Sequence, residues 1–274
     1  MNTLNKQFDS NSPIGFFDSG VGGLTVLNKV KQILPNENFV YYGDTLHMPY
    51  GDKSKEQLLE YSKVILDFFE HKGCKAVVMA CNTTSSTIYN DIKNDYEFKL
   101  YPIVQSVAKI LAHLPVERLG IFATRATIES GAYQNEIHKY NSQMKVFGQY
   151  CPKWVHIVEN STKNTPESRQ TIKVDLLKML ENNPDKIVLG CTHYPFLIDV
   201  LSEFAPSDLF IDPAIDFAKY IKQDLAISGL LNSSNLQNKE EFYVSANPEQ
   251  FKISAQMFYE LKSKPELLTF KNLV

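Results

Sequence analysis

Two stretches of this chain present a thiol in the same local setting. Ala76-Val77-Val78-Met79 is a short apolar run of the kind that forms a buried strand, and Ala80-Cys81 follows it directly. Asn82-Thr83-Thr84-Ser85-Ser86 then supplies small polar residues suited to opening a helix. Far down the chain, Lys186-Ile187-Val188-Leu189-Gly190 repeats the pattern, delivering Cys191-Thr192-His193 to the point where Tyr194-Pro195 suits the start of another helix. A thiol at a helix N-terminus faces the positive end of the dipole and free N–H groups, which favour the thiolate. A free thiol titrates near ~8.5, so a modest depression brings it into range at neutral pH. His193, two residues after Cys191, can support that thiol electrostatically or by proton exchange.

Three chemistries use cysteines so placed. A nucleophilic Cys–His pair serves acyl transfer but leaves the second matched segment without a purpose. Redox cycling usually employs closely spaced partners, and the sequence has no Cys-x-x-Cys pair. Acid/base exchange accounts for both: one thiolate removes a proton from a carbon, and the other thiol returns one from the opposite face, inverting a stereocentre. The carbanion beside a carboxylate needs N–H donors, which two helix N-termini supply. Cys74 and Cys151 read as small buried hydrophobes. Cys191 and His193 offer two metal ligands, but no others stand at a recognisable spacing, so no metal site is expected.

The elements that must position these groups alternate between strand and helix. A strand at 14–17 runs into Asp18-Ser19-Gly20-Val21-Gly22-Gly23, which lacks the Lys-Ser/Thr of a phosphate loop and the spacing of a dinucleotide fingerprint. Asp18 stands at the carboxyl end of that strand, where ligands gather in open α/β sheets, although the same place suits an N-cap. Leu24, Leu27 and Leu34 mark a helix stopped by Pro35, and a strand at 39–42 leads to the turn around Pro49-Tyr50-Gly51. Ser54 and Gln57 form a capping box for a helix to Lys72, ended by Gly73. Further strands are expected at 101–104, 119–123, 145–149, 209–211 and 242–244. Helices are expected from Arg125 towards Tyr140, from Pro166, from Pro213 and from Pro248, with Cys151-Pro152 beginning an irregular segment that holds Trp154 and Glu159. About nine strands alternating with helices define an α/β fold of largely parallel sheets. The two matched thiol segments point to two similar lobes facing a shared cleft.

Composition narrows the partners. The net charge of −3 comes from mixed acids and bases, so no nucleic-acid footprint is expected. No apolar run approaches the roughly 18–20 residues that span a bilayer. The segment from Met1 to Pro13 is polar without the order of a secretory signal and reads as a loose leader on a cytoplasmic protein. A second polar stretch, Asn232 to Asn238, reads as a linker.

Four motifs together, Phe17-Asp18-Ser19-Gly20-Val21-Gly22-Gly23, Pro49-Tyr50-Gly51, Ala80-Cys81-Asn82-Thr83 and Gly190-Cys191-Thr192-His193-Tyr194-Pro195, resemble the glutamate racemase family, in the family's order and from about Ile14 to the final helix. The resemblance implies two pseudo-symmetric α/β lobes, residues 1–105 plus 214–274 and residues 106–213, with the active site between them. It implies cofactor-independent interconversion of L- and D-glutamate, supplying D-glutamate for peptidoglycan, in a homodimer. Carried over by position, Cys81 and Cys191 are the acid/base thiols, Asp18 and His193 assist them, and Glu159 holds His193. Ser19, Tyr50, Gly51, Asn82, Thr83, Thr124 and Thr192 match substrate-contacting positions, as do Asp18 and His193, with Tyr50-Gly51 serving the side-chain carboxylate. The chain departs from the pattern at Phe122-Ala123-Thr124, where Gly-Thr is common, and at His156, where Pro is common. The alternatives are a racemase for another amino acid such as aspartate, a non-catalytic amino-acid-binding protein and, further off, a nucleophilic Cys hydrolase.

Overall fold

Ile14–Asp18 (β1) is buried at every position, and its neighbours are assembled around it in a computed structural model that describes residues 8–234 and 238–272. The helix Leu24–Ile33 (α1) returns the chain to Phe39–Gly43 (β2), and Lys55–His71 (α2) leads to Ala76–Met79 (β3). The Ser54 hydroxyl and Gln57 side chain cap α2 reciprocally, as the capping box predicts, and Gly73 stops the chain at φ +68°. Asn82–Ile92 (α3), Lys99–Pro102 (β4) and Ile103–Leu111 (α4) follow. The strand expected at 101–104 therefore ends two residues early, because Pro102, which has no N–H to give a strand neighbour, caps α4.

The chain then enters a second sheet. Arg118–Ala123 (β5) is followed by two helices, Arg125–Glu129 (α5) and Ala132–His138 (α6), where one was expected; Gly131 at φ +64° divides them. Lys145–Tyr150 (β6) precedes Trp154–Glu159 (α7), a helix in the segment expected to be irregular. Buried Trp154, Ile157 and Val158 hold α7 against the core. Pro166–Leu180 (α8), capped by Thr165, leads to Lys186–Gly190 (β7), then a 3₁₀ turn at Tyr194–Leu197, Ile198–Leu201 (α9) and Phe210–Ile211 (β8). Ala214–Ile227 (α10) carries the chain back to Glu240–Val244 (β9), Pro248–Ala255 (α11) and an exposed tenth strand, Glu266–Leu267 (β10), which no apolar pattern announces.

Every strand pairing is parallel, in the orders β10-β9-β2-β1-β3-β4 and β6-β5-β7-β8. Strands covered on both faces read as continuous apolar runs rather than alternating ones, which is why Ala76–Met79 and Lys186–Gly190 stand out in the sequence. The four-strand run β2-β1-β3-β4 has the same order as β6-β5-β7-β8. No helix among the described residues is long and apolar enough to cross a membrane.

Of the expected leader, residues 1–7 lie outside the described residues, but the remainder is tied down. Partly buried Phe8 packs on the core, and the Ser10 carbonyl accepts the Lys75 ammonium. Lys75, wholly buried, also pairs with buried Glu37, whose other oxygen accepts the Asn232 N–H at 2.8 Å. Asn232 thereby anchors the start of the expected linker; Asn235, Leu236 and Gln237 lie outside the described residues. Removing one member of a buried pair leaves an uncompensated charge in the core. Lys75→Met should therefore lower stability by about 3–5 kcal/mol, read as a fall in the urea midpoint, with the Lys75→Met/Glu37→Gln double variant recovering part of the loss.

Candidate active site

At the carboxyl ends of β1 and β3 the chain departs to opposite sides of the first sheet, and β5 and β7 repeat this in the second. Such switch points are where open α/β sheets hold ligands. A single cavity is lined from both sheets: by Ser19, Tyr50, Gly51, Cys81, Asn82 and Thr83 from the first, and by Thr124, Cys191, Thr192 and His193 from the second. Glu159, at the end of α7, completes the wall. Asp18 lies behind the lining, wholly buried, between the two thiol regions.

Cys81 is the N-cap of α3, and the Ser85 N–H donates to its carbonyl at 3.0 Å. The expected depression of its thiol is overturned. Burial pushes the thiol up to about 12, and the Asp18 carboxylate adds to the rise, while the amides of Thr84 and Thr83 pull the other way too weakly to prevail. Asp18 is itself raised above the ordinary carboxylate range, chiefly by burial, against the opposing effects of His193 and the Gly23 and Gly20 amides. Its Oδ2 accepts the Gly20 N–H at 3.1 Å, whereas buried Oδ1 has no hydrogen-bond partner among the described residues.

Cys191 does not open an α-helix. Its carbonyl accepts the Tyr194 N–H at 3.0 Å in a tight turn, and a 3₁₀ turn follows, so the dipole argument does not carry over to this thiol. The partner of Cys191 is a side chain: Sγ is 3.8 Å from His193 Nδ1, and His193 Nε2 is 3.1 Å from Glu159 Oε1. Burial disfavours the imidazolium, but the hydrogen bonds to Cys191 and Glu159 outweigh it and lift His193 to about 10. Cys151, read from sequence as a packing thiol, is buried but also reaches the cavity wall, with its thiol raised well above the usual range by burial.

Hydrogen bonds join the two halves around the cavity, among them Thr83 Oγ1 to Thr124 Oγ1 at 2.9 Å and the Tyr133 hydroxyl donating to Asn82 Oδ1 at 2.8 Å. The Tyr50 hydroxyl is engaged inside the protein, donating to buried Asp44 at 2.5 Å. Asp44 also accepts from Ser245 at 2.6 Å and lies 2.8 Å from His47 Nδ1, so one carboxylate pins the turn that carries Tyr50 and Gly51. Sequence reasoning missed Arg125, Met48 and Tyr133. Arg125 lines the cavity one residue after Thr124, where the strand-end rule that picked out Asp18 would have found it. Nothing local marks Tyr133. Among the described residues no group of three His, Cys, Asp or Glu side chains is arranged to hold a metal ion.

Fold and site together define an amino-acid racemase, an isomerase: the chain belongs to the Asp/Glu/Hydantoin racemase family, whose model matches residues 22–216. Within that class it is similar to glutamate racemases. The glutamate racemase of Thermoanaerobacter sp. (strain X514) is 38% identical over 247 residues, spanning 89% of this chain and 92% of the relative. That of Picosynechococcus sp. (strain ATCC 27264 / PCC 7002 / PR-6) is 37% identical over 264 residues, spanning 96% and 94%. The crystal structure of glutamate racemase from Francisella tularensis subsp. tularensis SCHU S4 in complex with D-glutamate superposes with a TM-score of 0.89 at 29% identity, covering 95% of this chain and 98% of that one.

Two measurements check the site. A Cβ at Gly22 would stand 2.6 Å from His193 Cε1 and would also overlap Thr192 Oγ1. Gly22→Ala should lower stability by about 1–3 kcal/mol and cut turnover, seen as a lower urea midpoint and slower initial rates. His193, raised from 6.5 to about 10, contributes stability that is fully present below pH 6.5 and lost as pH rises through 10. Glu159→Gln should shrink that alkaline loss in unfolding free energy measured between about pH 6 and 10.5.

Proposed function

We propose that this chain interconverts L- and D-glutamate by exchanging the Cα proton between Cys81 and Cys191. The observation that carries the reading is that both sulfurs line one cavity, each with its own polar neighbour. In one direction a thiolate takes the Cα proton, the electron pair stays on the carbon as a carbanion, and the other thiol gives its proton from the opposite face. The enzyme is left with its two sulfurs in exchanged protonation states, ready for the reverse passage. Asp18 serves Cys81, and His193, held by Glu159, serves Cys191. Ser19, Asn82, Thr83, Thr124 and Thr192 hold the substrate, with Tyr50-Gly51 at its side-chain carboxylate; N–H and O–H donors around the α-carboxylate stabilise the carbanion. A thiol lifted to about 12 by burial needs a positive charge nearby before it ionises, and the ammonium of the amino acid brings one.

The reading extends to the cell and the assembly: a cytoplasmic homodimer whose product, D-glutamate, enters peptidoglycan. Its first lobe comprises residues 1–105 and 214–274, and its second residues 106–213, consistent with the membership of the two sheets.

Cys81→Ala and Cys191→Ala should each reduce racemization at least about 100-fold, and turnover of L-glutamate in D₂O should place deuterium at Cα. Full activity in Cys191→Ala removes the mechanism. Racemization of aspartate but not glutamate removes the choice of substrate, and tight glutamate binding without turnover makes the chain a binding protein instead. A monomer mass by light scattering contradicts the dimer.

A further inference from the structure

We infer that Tyr133 is a positioning residue, holding the Asn82 carboxamide so that its nitrogen faces the cavity and its oxygen faces away. Tyr133 belongs to α6, beside the second sheet, whereas Asn82 opens α3 directly after Cys81 in the first. The Tyr133 hydroxyl donates to Asn82 Oδ1 at 2.8 Å in a buried contact. Its ring packs on the backbone just before the other thiol, since a Cβ at Gly190 would lie 3.2 Å from Tyr133 Cε2. One side chain thus spans from the Cys191 turn to the Cys81 turn.

An amide has one acceptor oxygen and two N–H donors, so engaging Oδ1 settles which group is left for a ligand. Asn82 lines the cavity. Its Nδ2 makes no hydrogen bond among the described residues and is not among the fully enclosed unpartnered atoms, so it is left free to donate to a ligand. An outward N–H suits a carboxylate; the flipped amide would set an oxygen against it. Burial raises the phenol well above its ordinary range, so it remains a donor at any working pH. This inference rests on the reading of the cavity as the site of a carboxylate-bearing substrate.

Steady-state racemization of L-glutamate by Tyr133→Phe, Asn82→Ala and the double variant tests it. Tyr133→Phe should raise KM about 5- to 10-fold with kcat within about 2-fold of the parent, and add nothing in the Asn82→Ala background. An unchanged KM, or an equal rise in the Asn82→Ala background, overturns it. Asn82→Asp keeps an oxygen for Tyr133 but offers no N–H, so its KM should rise at least as far as that of Asn82→Ala. This arm tests the outward N–H even where circular dichroism finds Tyr133→Phe unfolded, and an unchanged KM in Asn82→Asp overturns the inference. A parent enzyme that does not racemize glutamate sinks the proposed function; a normal parent with a silent Tyr133→Phe sinks only the role of Tyr133.

Discussion

The turn after β1 and the turn after β7 meet at Gly22, and the site exists because no side chain stands between them. Gly22 lies against Thr192 and His193, and Gly23 lies equally close to Asp18 and the Tyr41 hydroxyl. The glycines of this turn therefore matter less as a flexible connection than as missing volume. Without them, Asp18 and Cys81 from one sheet could not share surroundings with His193 and Cys191 from the other. The Thr83–Thr124 hydrogen bond and the Tyr133–Asn82 contact lie across the same junction, so the relative placement of the two sheets is fixed at the site itself.

That closeness excludes water, and exclusion of water dominates the local electrostatics. Cys81 and Asp18 are both shifted towards their neutral forms by burial. His193 escapes the same fate because two hydrogen-bonding partners stabilise its cation. Cys81 therefore stands beside a carboxylate, whereas Cys191 stands beside an imidazole held towards its cation. An unpartnered carboxylate oxygen at full burial, as on Asp18, is an expensive arrangement to keep in a folded protein. Its cost is consistent with a group retained for chemistry rather than for stability.

Much of this was legible in the residues. Strands buried on both faces announce themselves as apolar runs, so the elements bearing both thiols, the alternation and the parallel class could be read directly. Capping chemistry is equally local, and Ser54, Gly73 and Thr165 act as their types suggest. The thiol of Cys81 was misjudged because a helix N-terminus is visible in a sequence while depth of burial is not; the two pull in opposite directions, and burial prevails. The helix at Trp154–Glu159 was missed because no side-chain cap opens it and its stability comes from Trp154 seated against Phe122 and Tyr194. Tyr133 was invisible for a related reason: it acts through Asn82, a partner brought near only by the fold.

The matching strand orders β2-β1-β3-β4 and β6-β5-β7-β8 give the cavity two walls of common design but unlike furnishing. Mirror-image molecules presented to such a pocket meet scaffolds of common strand order on either side. The asymmetry is confined to the attendants: a lone carboxylate beside one sulfur, an imidazole backed by a carboxylate beside the other. On the proposed mechanism those attendants leave the ratio of kcat/KM between the two directions untouched, because the two hands have equal free energy, and set only how each direction divides its barrier between binding and turnover.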